Sequence, residues 1–184
     1  WLDQKIFDGQ GGPATDTQIY GLTSATSLQV TAFDDTAVKV KNAHVGDLAD
    51  ACALQAKKNR HSVNTVWMSD TLAYKLQHTK DANNNYIINR LVDGSLIMNG
   101  RKVITSEDLF GGNTEKMLVG DPAKIQFWIK RNLTGEFERI AKSDSYNFYV
   151  YSRQQVLVED EDIKGLIYVA DVEAALAAIT EPDA

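Results

Sequence analysis

The chain has 184 residues, 43% of them hydrophobic, and 19 basic against 25 acidic side chains give a formal net charge of -6. This fits one globular domain, or one domain with an extended appendage, and excludes a wholly disordered chain. The acidic balance excludes a general nucleic-acid binder, though it leaves room for a local basic patch. A single cysteine, Cys52, excludes an internal disulfide and a cysteine-rich metal site.

No apolar run approaches the ~18 residues of a membrane-crossing helix. Trp1-Leu2-Asp3 carries neither an initiator Met nor a signal layout, so the chain is expected to be a fragment. Trp1 to Phe7 reads as the tail of a helix or a short strand. Gly9 to Gly21 follows as a glycine-broken loop. Ser27 to Phe33 alternates in the manner of a half-buried strand.

From His44 to Asn59 the apolar residues Val45, Leu48, Ala49, Cys52 and Ala56 form one helical stripe, with Asp47 and Asp50 early and Lys57, Lys58 and Arg60 late. Cys52 is core filling on that stripe. Val63 to Met68 is a short buried strand. Ser69 then caps a second helix, Asp70 to Thr79, buried through Leu72, Ala73 and Leu76.

Lys80 to Asn85 is a turn. Asn99-Gly100 between Ser95–Met98 and Arg101–Thr105 is a strong short hairpin signal. Further strands are expected at Met117–Gly120, Ile125–Lys130, Glu136–Ile140, Phe148–Val158 and Lys164–Val169. Asp171 caps a final helix through Leu176, which closes before Pro182. Early helices and late strands with few βαβ units make the fold class α+β.

Candidate chemistry is sparse. His44, His61 and His78 recur every seventeen residues, but they fall on a helix start, a loop and a helix end without HxxxH or HExxH spacing. The run Glu159-Asp160-Glu161-Asp162, placed on a strand, sends alternate side chains to opposite faces. It reads as a solvated edge or a charge patch facing a partner's lysines. Asp34-Asp35 is read as a loop.

Gly9-Gln10-Gly11-Gly12 lacks the framing and the Gly-Lys-Ser/Thr of a phosphate loop, and no GxSxG elbow occurs. Arg60-His61, Arg101-Lys102 and Lys130-Arg131 are ordinary surface pairs without the aromatic interleaving of a single-strand platform. No catalytic, cofactor-binding or metal-ligating residue is assigned, and the chain is expected not to be an enzyme.

The order of the motifs carries more than any one of them. Trp67-Met68-Ser69-Asp70-Thr71-Leu72 is followed by Lys75-Leu76 and by Lys80-Asp81-Ala82-Asn83-Asn84-Asn85-Tyr86-Ile87. Next come the stretch Leu96 to Asp108 through Asn99-Gly100 and Ser106-Glu107-Asp108, and then Val119-Gly120-Asp121 ahead of a strand ending in Lys130-Arg131. With the early Asp8-Gly9-Gln10-Gly11 loop, this series resembles the tailed-bacteriophage major capsid proteins of the Hong Kong 97 type. It departs from them at Lys102, where proline is usual, and at the acidic Glu159 to Asp162, where many members carry arginine.

The resemblance implies an apical domain with a central mixed sheet flanked by helices, plus part of an elongated β-rich peripheral domain. Residues 1–22 would be a peripheral segment with the glycine loop, 23–131 apical, 132–162 peripheral strands, and 163–184 a return to the apical domain with the C-terminal helix. The N-terminal arm, extended loop and spine helix of that family would precede this chain, so the fragment alone is expected to be monomeric or weakly associated.

The implied function is that of a head protein of a tailed phage or prophage, assembled in the bacterial cytoplasm into the icosahedral capsid of a virion enclosing DNA. Its partners would be copies of itself in pentamers and hexamers, with scaffold, maturation protease and portal as further candidates. Neither sequence-specific nucleic-acid binding nor a membrane is expected, and a net negative wall repels packaged DNA. The alternatives are an encapsulin-type nanocompartment shell, a small metal-dependent hydrolase using Glu159 or His78, and a generic binding module.

Overall fold

The computed structural model describes residues 21–23, 29–37, 39–81, 84–105, 115–140 and 145–181. Among these residues nine strands appear: β1 (Thr31–Ala32), β2 (Thr65–Met68), β3 (Asn89–Arg90), β4 (Leu96–Met98), β5 (Arg101–Thr105), β6 (Met117–Gly120), β7 (Ile125–Ile140), β8 (Ser145–Val158) and β9 (Ile167–Val169). Three helices accompany them: α1 (Val45–Lys58), α2 (Asp70–His78) and α3 (Val172–Ile179). The fold is α+β, with a seven-stranded mixed sheet ordered β1-β9-β6-β2-β5-β4-β3 and a separate two-stranded ribbon of β7 and β8.

Alternation along the central strands builds two cores, one on each face of the sheet. Val66 and Met68 of β2, Met117 and Val119 of β6, and Ile167 and Val169 of β9 point to the helices. There they meet Leu48, Ala49, Cys52 and Ala56 of α1 and Leu72, Ala73 and Leu76 of α2. Trp67, Leu118 and Leu166 sit among the intervening residues and point the other way, where Val156 and Val158 at the end of β8 pack against them. Both β2 and β6 are buried at every residue, as strands covered on two faces must be.

Local chemistry sets the ends of the elements. His44 caps α1 by accepting from the Asp47 amide at 3.3 Å, while the Asp47 carboxylate accepts from the His44 amide at 2.9 Å. Ser69 Oγ accepts from the Leu72 amide at 3.1 Å and Asp171 Oδ1 from the Ala174 amide at 2.9 Å, as expected. Asn99 (φ 47°) and Gly100 (φ 77°) take the left-handed conformations that a tight turn between β4 and β5 demands. Asn99 Nδ2 then donates to Asp50 at 2.8 Å, fastening that hairpin to α1.

Several sequence expectations are corrected. The final helix runs past Leu176 to Ile179. Of Ser27–Phe33, only Thr31–Ala32 pairs as strand, and 24–28 lie outside the described residues. Ile125–Lys130 and Glu136–Ile140 are one strand, because two register irregularities near Arg131 absorb extra residues without ending the pairing. The acidic run is not on a strand: β8 ends at Val158, Glu159 O accepts from the amides of Asp162 and Ile163, and a 3-10 turn spans Asp162–Gly165. Lys164–Val169 therefore contributes only Ile167–Val169 to the sheet.

Candidate assembly surface

The sequence-level candidates for chemistry scatter. His44 is a helix cap, His61 hydrogen-bonds Lys124 in a loop, and His78 lies edge-on to Tyr74 with ring centroids 4.6 Å apart at the end of α2. Among the described residues no group of three His, Cys, Asp or Glu side chains converges as metal ligands would. In the acidic run, Asp162 pairs with Lys124 at 3.5 Å and Glu159 accepts from Gln126 at 2.7 Å. Asp35 pairs with Lys58, and Arg101 with Asp50.

Cys52 is fully buried, and burial pushes its thiol well above the ordinary range against the opposing pull of Arg101. Such a thiol packs and does not react. The Gly9–Gly12 loop lies outside the described residues.

The sequence analysis expected the strands of β7 and β8 but missed that they form one ribbon with an apolar face. Directly opposed residues of an antiparallel pair share a face, so the register sorts its side chains. One face carries Ile125, Phe127 and Ile129 opposite Val158, Val156 and Gln154, and further out Gly135, Phe137 and Arg139 opposite Val150, Phe148 and Tyr146. Its root belongs to the core beneath the sheet, where Val156 and Val158 are buried. Its outer part is open: Phe137 is 76% and Phe148 58% exposed, and their rings pair at 4.7 Å.

Gly135 is part of this arrangement. A Cβ there would stand 2.9 Å from Phe148 Cε2, so glycine lets that ring lie across β7.

The opposite face satisfies itself. Arg131 stacks its guanidinium 4.2 Å from the Tyr151 ring centroid and pairs with Glu136 at 3.5 Å. The Glu136 carboxylate bonded to Tyr151, helped by desolvation, pushes that phenol above its usual value. Asn147 donates to the Tyr149 hydroxyl at 3.0 Å, which donates to Glu138 at 3.0 Å. Trp128 Nε1 reaches Gln126 at 2.9 Å. The ribbon is thus amphipathic with period two, one face wet and the other apolar yet, among the described residues, uncovered along its outer half.

A two-stranded ribbon is marginal alone in water. An apolar face that prolongs a core and stands exposed marks a surface made to be covered. The signal for it in the sequence was the alternation Tyr146, Phe148, Val150, interleaved with Tyr149 and Tyr151. Aromatics on both faces concealed which one is apolar until Glu136 and Glu138 were seen to pair beside Tyr149 and Asn147.

Comparison with known proteins places these features in context. The family model described as the phage capsid family matches residues 2–166. The fold is similar to that of a chain from Mycobacterium phage Bobi (13% identity, TM-score 0.58, covering 99% of this chain and 60% of that one). It is also similar to the capsid of a native GTA particle computed with C5 symmetry (16%, 0.57, 90% and 59%). A chain from Mycobacterium phage Che8 is similar as well (18%, 0.51, 77% and 53%). The chain spans between half and two thirds of the length of these solved relatives. A comparison with curated proteins found no match.

Proposed function

Because this chain belongs to the phage capsid family, we propose that it is the larger part of a major head protein whose copies close into an icosahedral shell around DNA, in the virion of a tailed phage or prophage. The exposed apolar face of the β7–β8 ribbon carries this reading. A face continuous with a core and open to water is covered in a working protein, and a shell subunit covers it on assembly. The body of sheet and helices corresponds to the apical domain, 23–131 with the return at 163–184. The stretch 132–162, which holds the outer ribbon, the return of β8 to the core and the acidic turn, together with 1–22, corresponds to the peripheral domain.

The protein's work is mechanical, with no catalytic step. Copies in rings of five and six meet through unlike surfaces, and such contacts must tolerate small changes of angle. A ribbon rooted in the core by Val156 and Val158 and free beyond them offers that tolerance. Scaffold, maturation protease and portal are the further partners expected of such a shell.

Negative-stain electron microscopy of the full-length polypeptide expressed alone tests the reading. Closed uniform particles, rings or tubes are expected. Dispersed monomers at high concentration, with and without a co-expressed scaffold, would sink it.

A further inference from the structure

Where β7 departs from regular register, Arg131 stands directly opposite Arg153 on β8, and Lys130 occupies the irregularity beside them. Three cations therefore crowd one short segment of a chain whose net charge is -6. Like charges directly opposed across a ribbon are destabilising. Arg131 has Tyr151 and Glu136 for company. Lys130 and Arg153, both exposed, have no carboxylate partner among the described residues.

At the root of the same ribbon the acidic turn shows the converse. Glu159 and Asp162 are engaged with Gln126 and Lys124, whereas Asp160 and Glu161 are exposed and unpaired among the described residues.

These two patches cannot neutralise one another within a chain. Five residues of strand, roughly 17 Å, separate Arg153 from Val158 before the turn even begins. Charges on a solvated surface are largely screened beyond about 8–10 Å. Building on the shell reading above, we propose that the Lys130–Arg131–Arg153 cluster receives the Asp160–Glu161 turn of a second copy of this chain. Two different patches that complement each other make a contact running from one subunit to the next, the kind that closes into a ring. The cations stand on the wet face beside Tyr151 and Glu136, so these ion pairs set the register of a contact on that side of the ribbon, opposite the apolar face.

Reversing and exchanging the charges in the full-length polypeptide tests this. Lys130→Glu with Arg153→Glu, and separately Asp160→Lys with Glu161→Lys, each weaken subunit association about tenfold or more by sedimentation, because like charges then meet. All four changes together restore it. Exposed, unpaired positions keep the fold, which thermal melts of each variant verify.

Association untouched by either reversal, or crippled by both and not rescued by the exchange, would overturn the pairing. So would a cation reversal that leaves association intact and instead lowers the nucleic acid retained in particles. Closed particles from every variant would leave the shell reading standing and remove only this contact. Charge-dependent association without closed particles would do the reverse.

Discussion

Strands β6 and β8 both pair antiparallel with a neighbour, yet they solve opposite problems. Every residue of β6 is buried between helices on one side and Trp67, Leu166 and the ribbon root on the other. β8 carries Tyr146, Phe148 and Val150 through solvent first and ends in that second core at Val156 and Val158. Apolar alternation is present in both. In the body it is consumed by the chain's own helices, whereas in the ribbon it is left for something else. A core completed inside one chain governs folding, and on the proposed shell reading a core left half-built governs association.

Truncation in the body gives the largest effect on stability. Met68 is fully buried between β5, β6 and α2. Met68→Ala is expected to cost about 2–5 kcal/mol in a denaturant melt. A loss below about 1 kcal/mol would mean that the helix-side core repacks freely, and the contrast between the two regions would fail.

The body was legible for a physical reason. The α1 stripe through Leu48, Cys52 and Ala56, the Ser69 and Asp171 caps and the Asn99-Gly100 turn are local instructions, each contained within a few residues. Their partners fall where periodicity says. The ribbon was not legible, because Asn132-Leu133-Thr134-Gly135 looks like a break to any local rule. Only the pairing with β8 carries the strand through it. The acidic run misled for the same reason: whether Glu159 continues β8 or starts a turn is decided by its carbonyl accepting from Asp162 and Ile163. Of the assembly surface, the residue types were visible, and the face they share was not.

A smaller, pH-dependent effect also separates the regions. Burial raises the Cys52 thiol in the folded chain. Below the unfolded pKa of about 8.5 both states keep the proton, so the full stability is present. Above it the unfolded chain releases a proton that the folded one retains, and stability falls by about 1.4 kcal/mol per pH unit. Comparing pH 8 with pH 9.5, Cys52→Ala is expected to flatten that slope. In the unmodified protein, alkylation of Cys52 follows global unfolding. Labelling faster than unfolding would show that the α1 core opens by itself.

The smallest change in stability is expected where the change in behaviour is greatest. Phe137 is 76% exposed and its ring pairs with that of Phe148 across the ribbon. Phe137→Ser removes one cross-strand pair, about 0.2–1 kcal/mol, and that loss is confined to the ribbon. The melting of the body, whose cores Phe137 does not enter, is then unchanged. Assembly of the full-length polypeptide, however, is expected to fail, because the serine hydroxyl enters the apolar face that association must dehydrate, and a buried polar group without a partner is costly. Particle yield measured beside the thermal melt separates the two quantities. If Phe137→Ser assembles as well as the parent, the outer face of the ribbon is not what the subunits cover, and the contact must be sought on the sheet edges at β1 and β3.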